Sequence, residues 1–231
     1  MFSQVTSTWN PVGGLCGYRC LYCWSTGRKG LVKRFNMKKY TGEPYIYRSE
    51  FEREWKPGEM VFVCDMLDLF CSNVTNEIIL EVLEHLKMFP AVKFLLLTKN
   101  PRRYISVIDH VPENCVLGAT VESNWNYPAL SHAPLQSDRL EYLQVLRAKT
   151  DLPIFISIEP VLEFDDLFAE DLLKLNPWGV AVGYDGYNYH LPEPKLDDTL
   201  GLISSLEKNK VKVFEKTIRK AWNECGVYFR V

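Results

Sequence analysis

The sequence predicts an α/β protein whose parallel strands close into a full or partial TIM-like barrel. Three observations carry that expectation. Short runs of almost purely apolar residues recur along the chain, as strands covered on both faces require. Helical patterns separate these runs, the layout of βα units that feed a parallel sheet and close readily into a full or partial barrel. Polar residues gather where the runs end, the end at which such barrels build their sites.

In chain order, the expected strands are Gln4–Thr8, Met60–Cys64, Lys93–Leu97, Val116–Thr120, Ile154–Ile158, Gly179–Val182 and a last one at Val211–Phe214. The expected helices alternate with them. Asn76–Met88 sets Ile79, Val82, Leu83 and Leu86 on one face, and Asp138–Ala148 follows Ser137 as a candidate N-cap. Asp165–Leu175 and Leu196–Lys208 complete the series. The polar tips are Cys64-Asp65, Thr98-Lys99, Glu122-Ser123-Asn124, Ser157 with Glu159-Pro160, and Tyr184-Asp185-Gly186. No low-complexity linker breaks the 231 residues, so one domain over 1–231 is expected, with an irregular insertion at Gly27–Pro57.

Composition narrows the function classes. A hydrophobic content of 47% suits a substantial core. There is no run of 18 apolar residues for a membrane span, and the N-terminus lacks the basic-then-apolar layout of a signal peptide, so a cytoplasmic protein without membrane contact is expected. Seven cysteines, three of them crowded together, do not read as a disulfide framework. The net charge of −2 hides a strong asymmetry. Residues 1–42 carry seven basic and no acidic side chains, and residues 208–231 carry seven basic and two acidic ones, while the middle is acidic. If the chain ends meet, they make a basic surface.

The crowded cysteines are the strongest chemical signal. Cys16-Gly17-Tyr18-Arg19-Cys20-Leu21-Tyr22-Cys23 has the spacing C-x3-C-x2-C. One short loop of thiolates with this spacing can hold three irons of a [4Fe–4S] cluster and leave the fourth open to a small molecule, S-adenosylmethionine above all. Gly13, Gly14 and Gly17 let the backbone wrap closely and are expected to leave N–H groups free for cluster sulfides. Zinc is the rival reading, but structural zinc wants four ligands, and no second C-x2-C or H-x3-H pair accompanies the triad. A cluster-free structural triad is the third.

At this loop the sequence resembles the radical SAM superfamily, in which the residue before the third cysteine is usually aromatic, here Tyr22. Further segments resemble a small, phage-associated branch of that superfamily with a layout similar to spore photoproduct lyase. They are Trp9-Asn10-Pro11, Val61-Phe62-Val63-Cys64-Asp65-Met66-Leu67-Asp68-Leu69-Phe70, Leu97-Thr98-Lys99-Asn100-Pro101-Arg102-Arg103, Leu117-Gly118-Ala119-Thr120-Val121-Glu122 and Ile156-Ser157-Ile158-Glu159-Pro160-Val161-Leu162. The resemblance implies a partial (β/α)6 TIM-like barrel with the cluster loop after the first strand, and an oxygen-sensitive enzyme. It would reductively cleave S-adenosylmethionine at the cluster to a 5′-deoxyadenosyl radical, which takes a hydrogen atom from substrate. The cofactor supplies the chemistry and the protein supplies placement. A flavodoxin or ferredoxin would donate the electron.

Residue roles follow from the resemblance. Cys16, Cys20 and Cys23 are the expected cluster ligands. Tyr22 would pack near the adenine. Superfamily members often carry a Gly-Gly-Glu-like segment at the second tip, and this chain departs from it with Cys64-Asp65-Met66, leaving Asp65 to accept the S-adenosylmethionine amino group. Lys99 would pair with its carboxylate, and Glu122 would bond ribose. Ser157 and Glu159 would serve ribose, sulfonium or substrate, with Glu159 taken as catalytic. Cys71 is a candidate for returning a hydrogen atom, against the plainer reading of a small buried residue.

The expected substrate is a nucleic-acid base or nucleotide, with modification, isomerisation or repair of a thymine-type base. Arg28, Lys29, Lys33, Arg34, Lys38 and Lys39 are interleaved with Trp24, Phe35 and Tyr40, and the tail adds Lys212, Lys216, Arg219, Lys220 and Trp222. Basic groups contact phosphates, aromatics stack on bases, and a base must leave its stack to be reached. One alternative keeps the radical chemistry on a small metabolite or amino-acid adduct, with Tyr184–His190 shaping the pocket. Another, from a different class, is a non-catalytic nucleic-acid-binding protein with a structural cluster.

Overall fold

The computed structural model of the chain describes Phe2 and residues 4–225; Met1, Ser3 and residues 226–231, which the expected single domain includes, lie outside them. In chain order the strands are β1 (Ser7–Trp9), β2 (Val12–Gly13), β3 (Tyr45–Ile46), β4 (Met60–Val63), β5 (Lys93–Thr98), β6 (Cys115–Thr120), β7 (Ile154–Ile158), β8 (Gly179–Val182) and β9 (Val213–Glu215). Among the described residues, seven of them form one sheet in the order β1-β4-β5-β6-β7-β8-β9, and every neighbouring pair is parallel. The sheet curls into a partial TIM-like barrel with β1 and β9 at its two edges, one strand more than the six implied by the resemblance. β2 and β3 make a separate antiparallel pair.

The helices are α1 (Leu31–Arg34), α2 (Asn76–Leu86), α3 (Arg102–Val107), α4 (Gln136–Arg147), α5 (Phe168–Leu173) and α6 (Leu196–Lys208). α6 has the expected bounds, and α3, of six residues, is a short helix that the sequence reading does not place. α2 starts where Thr75 accepts a hydrogen bond from Ile78 N, and it buries Ile79, Val82, Leu83 and Leu86 as its 3.6-residue period requires. α4 corrects an expectation. It begins at Gln136, and the capping oxygen comes from Asn126, whose Oδ1 accepts Ser137 N–H at 3.0 Å. α5 starts late because Asp165 is spent on a turn, accepting Leu167 N–H at 2.9 Å. The expected irregular insertion holds α1, β3 and two short 3-10 turns.

Strand alternation divides the core. Residues on the convex face, among them Val61, Val63, Phe94, Leu96, Leu117, Ile154, Ile156, Val180 and Val182, pack under the helices in the main cluster. Alternate residues on the concave face, Met60, Leu95, Val116, Phe155, Ala181 and Phe214, form a second cluster that Phe2 completes from below. Phe2 stacks edge-on against Phe155 with ring centroids 5.0 Å apart. No helix among the described residues is long and apolar enough to cross a membrane.

Candidate active site

The same alternation that places an apolar floor on the concave face puts polar side chains above it. One step of two residues takes Leu97 to Lys99, Phe155 to Ser157 and then Glu159, and Phe214 to Lys216. These side chains line a cavity of about 820 Å³ at the C-terminal ends of the strands. Phe2, Phe62 and Leu97 meet it from the floor, and Cys16, Cys20, Tyr22 and Cys23 line it from the side of the cysteine loop.

The loop is fixed by its backbone. Trp9, fully buried, donates its indole N–H to Glu50 O at 2.8 Å, and Asn10 then bridges to the second strand tip. Its Nδ2 donates to Asp65 Oδ1 at 2.6 Å and its Oδ1 accepts Met66 N–H at 3.2 Å. Gly14 turns the chain at φ +103°, a conformation that side chains disfavour. Tyr18 donates its hydroxyl to Phe70 O at 3.1 Å, while Leu21 N–H and His132 N–H tie the loop to the segment after β6. Two of the three glycine amides expected to remain free are committed: Gly14 N–H donates to Lys39 O and Gly17 N–H to Asn73 Oδ1.

Each thiol has a different neighbour. Cys16 Sγ lies 4.0 Å from Cys71 Sγ, and this hydrogen bond, with burial, holds the Cys16 thiol far above its ordinary pKa. Cys20 sits 3.1 Å from Ser131 Oγ, and burial pushes its pKa up to about 11 against the opposing pull of Lys99. Cys23 Sγ accepts from Thr26 N at 3.3 Å. Among the described residues no three His, Cys, Asp or Glu side chains stand close enough to share one metal ion. The donor set is all sulfur, spread along one cavity wall, which suits a polynuclear iron–sulfur group better than a single ion.

Behind the loop lies a charged hub. Glu122 is fully buried, with Arg139 Nη1 at 2.7 Å and Lys99 Nζ at 3.1 Å. Tyr22 donates its hydroxyl to Oε1 and Gln136 donates to Oε2. Burial alone would raise the Glu122 pKa, but Arg139, Lys99 and the tyrosine hydroxyl outweigh it and hold it at about 2. Lys99 Nζ also lies 5.4 Å from the centre of the Tyr22 ring. Glu122, expected at the ribose, does not line the cavity; its oxygens are taken up by Arg139, Lys99, Tyr22 and Gln136. Ser123 and Asn124 turn away from the cavity, to Glu163 O and Asp165, and the fourth tip contributes Thr120 instead.

On the remaining wall, burial raises the pKa of Asp65, and its bond from Asn10 partly offsets this. Asp68 is likewise raised by burial while accepting Lys99 N–H at 2.8 Å and the Thr98 hydroxyl at 3.0 Å. Glu159, joined to Pro160 by a cis peptide bond, pairs with Lys216 at 2.6 Å. At the mouth, Lys29 Nζ donates to Tyr187 O at 2.5 Å and Asn188 O at 3.2 Å, strapping the loop after β8 to the segment that follows the cysteines.

Of the residues singled out in the sequence, Cys16, Cys20, Cys23, Tyr22, Asp65, Lys99, Ser157 and Glu159 meet at one cavity, whereas Cys71 and Glu122 stand outside its lining. Sequence reasoning missed Asp68, Lys216, Gln136 and Arg139 as parts of this site. A signal existed for two of them. Asp68 is a lone carboxylate inside the apolar run Met66–Phe70, and Arg139 shares a helical face with Leu143 and Leu146. The basic entrance is smaller than expected, because Lys39 pairs with Glu50, Lys216 with Glu159 and Arg219 with Glu193.

Solved structures share the fold. A complex of spore photoproduct lyase with dinucleoside spore photoproduct superposes with a TM-score of 0.60 at 10% identity, covering 89% of this chain and 76% of that one. A mutant of the same lyase gives 0.54 at 10% identity, with 79% and 58% covered. Streptococcus suis SuiB bound to precursor peptide SuiA gives 0.54 at 10% identity, with 99% and 54% covered. The chain thus spans little more than half the length of the latter two. No curated protein sequence matches the chain significantly. Residues 2–200 match the family model described as "Protein of unknown function (DUF5131)", and the chain belongs to that family.

Proposed function

We propose that the protein is a radical SAM enzyme. In this reading Cys16, Cys20 and Cys23 hold a [4Fe–4S] cluster, S-adenosylmethionine binds beside it, and the substrate is a nucleic-acid base or nucleotide. The observation that carries the reading is the convergence of three thiols from one eight-residue loop with Asp65, Lys99, Ser157 and Glu159 on a single cavity at the strand tips. The solved folds support it: one spore photoproduct lyase structure contains AdoMet and a dinucleoside spore photoproduct. When bound, the cluster supplies the electron that splits S-adenosylmethionine, received from a flavodoxin- or ferredoxin-type donor.

This chain's own residues place the ligands. Asp65, held by Asn10, accepts the amino group of S-adenosylmethionine, and Lys99, held by Glu122, faces its carboxylate. The Tyr22 ring packs beside the adenine, its hydroxyl committed to Glu122. Ser157 serves the ribose hydroxyls. Glu159 and Lys216 form a charge pair that a substrate's polar edge can divide between them. The apolar floor excludes water from below. The internal pairing of four basic groups favours one base or nucleotide in the cavity over a long phosphate track along the surface.

The test is anaerobic. The protein is reconstituted with iron and sulfide, given S-adenosylmethionine and dithionite, and assayed for 5′-deoxyadenosine beside a Cys20→Ala control. Formation of the nucleoside only with intact cysteines is the expected result. A [4Fe–4S] spectrum without any cleavage, with candidate bases and nucleotides present, would leave a structural cluster. For the substrate, a filter-binding titration should show salt-dependent affinity for nucleotides or nucleic acid. Binding indifferent to salt would sink the nucleic-acid version.

A further inference from the structure

Cys71 is fully buried, does not line the cavity and packs against the cysteine loop. Its segment cradles that loop: Asn73 Oδ1 accepts Gly17 N–H at 3.3 Å and Asn73 Nδ2 donates to Leu15 O at 3.0 Å. Gly17 is the fitting residue here, since a Cβ on it would lie 3.0 Å from Asn73 Oδ1 and 3.3 Å from Cys71 Sγ. Cys71 itself is pinned. Its N–H donates to Asp68 O at 3.0 Å and its carbonyl accepts Arg103 Nη1 at 2.7 Å. The result is two sulfur atoms 4.0 Å apart, one of them on a proposed cluster ligand.

Resting on the radical SAM reading, we infer that Cys71 is a positioning residue whose thiol donates an S–H···S hydrogen bond to Cys16 Sγ, and through it raises the reduction potential of the cluster. Once Cys16 is bound to iron it has no S–H of its own, so Cys71 is the member of the pair left with a proton to donate. A hydrogen bond to a ligand sulfur withdraws negative charge from the cluster. It therefore favours the reduced state, which carries one more electron. This assignment replaces the return of a hydrogen atom to substrate, because the Cys71 thiol faces Cys16 and is shut off from the cavity.

The experiment is potentiometry of the reconstituted protein, following the reduced cluster by electron paramagnetic resonance, for the parent, Cys71→Ala and Cys71→Ser. Loss of the donor in Cys71→Ala should lower the reduced-to-oxidised ratio at a fixed potential about threefold, a shift of about 28 mV for one electron. Cys71→Ser keeps a donor and should hold the parent potential or exceed it. Equal potentials in all three proteins, or equal losses in both variants, would overturn the inference. So would a parent that loads its cluster while both variants fail to, since that outcome makes Cys71 structural. A parent that forms no cluster overturns the radical SAM reading itself, and is told apart by its spectrum before any titration.

Discussion

Residues 16–23 and the hub around Glu122 touch through Tyr22, yet they are built differently. Each thiol in the loop has a weak, separate neighbour: Cys71 for Cys16, Ser131 for Cys20, Thr26 for Cys23. In the hub, both oxygens of one carboxylate are shared among Arg139, Lys99, Tyr22 and Gln136, all closed around a fully buried position. The Glu122 carboxylate is therefore fully partnered within the chain, two cations stand against its one negative charge, and the surplus positive charge reaches the cavity through Lys99. The thiols line the cavity and share no such common partner among the described residues. Scaffold stability should thus depend on the hub, and activity on the loop.

That division can be broken at several points. Cys20→Ala should abolish cluster absorbance and reduce 5′-deoxyadenosine formation to background, while the iron-free protein melts near the parent temperature. A large fall in that melting temperature would mean that the loop is also scaffold. Glu122→Gln should leave cluster absorbance in place and lower stability instead. It leaves Arg139 and Lys99 as buried cations with a neutral partner, at a cost of about 3–5 kcal/mol, and should lower the iron-free melting temperature by roughly 10 °C in calorimetry.

The same residue gives a pH signature. The folded-state pKa of Glu122, about 2, lies below the ordinary glutamate value. Its stabilisation is therefore fully present above about pH 5, and is lost as pH falls through 4 toward 2, on the order of 3 kcal/mol in all. Denaturant melts of parent and Glu122→Gln should converge across that window, and parallel curves would remove Glu122 from the acid response. The smallest effect belongs to the strap. Lys29→Ala should cost under about 1 kcal/mol, yet it should speed limited proteolysis within residues 184–190.

Much of this frame was legible in the sequence, because parallel strands write their burial as unbroken apolar runs. Ile154–Ile158 and Gly179–Val182 appear as expected, and alternation then carries Lys99, Ser157 and Glu159 to the cavity. The hub was not legible. Its carboxylate and its arginine are 17 residues apart, on a strand tip and a helix, and only tertiary packing joins them. Lys216 reads from sequence as part of a basic surface because its partner Glu159, just past the end of β7, lies 57 residues earlier. The edges of elements moved for local reasons: Asn126 capped a helix in place of Ser137, and Asp165 turned before one.

The apolar floor under the cavity has a consequence for traffic. With Phe2 lying across the inner cluster, an apolar floor closes the cavity from below, and the cavity that the thiols line lies on the strand-tip side. Under the radical SAM reading, dissolved oxygen, water, S-adenosylmethionine and substrate would share that doorway. An occupied doorway is also a shut one, so the ligands themselves become the ventilation control, and the protein should tolerate air longest when it is fully loaded.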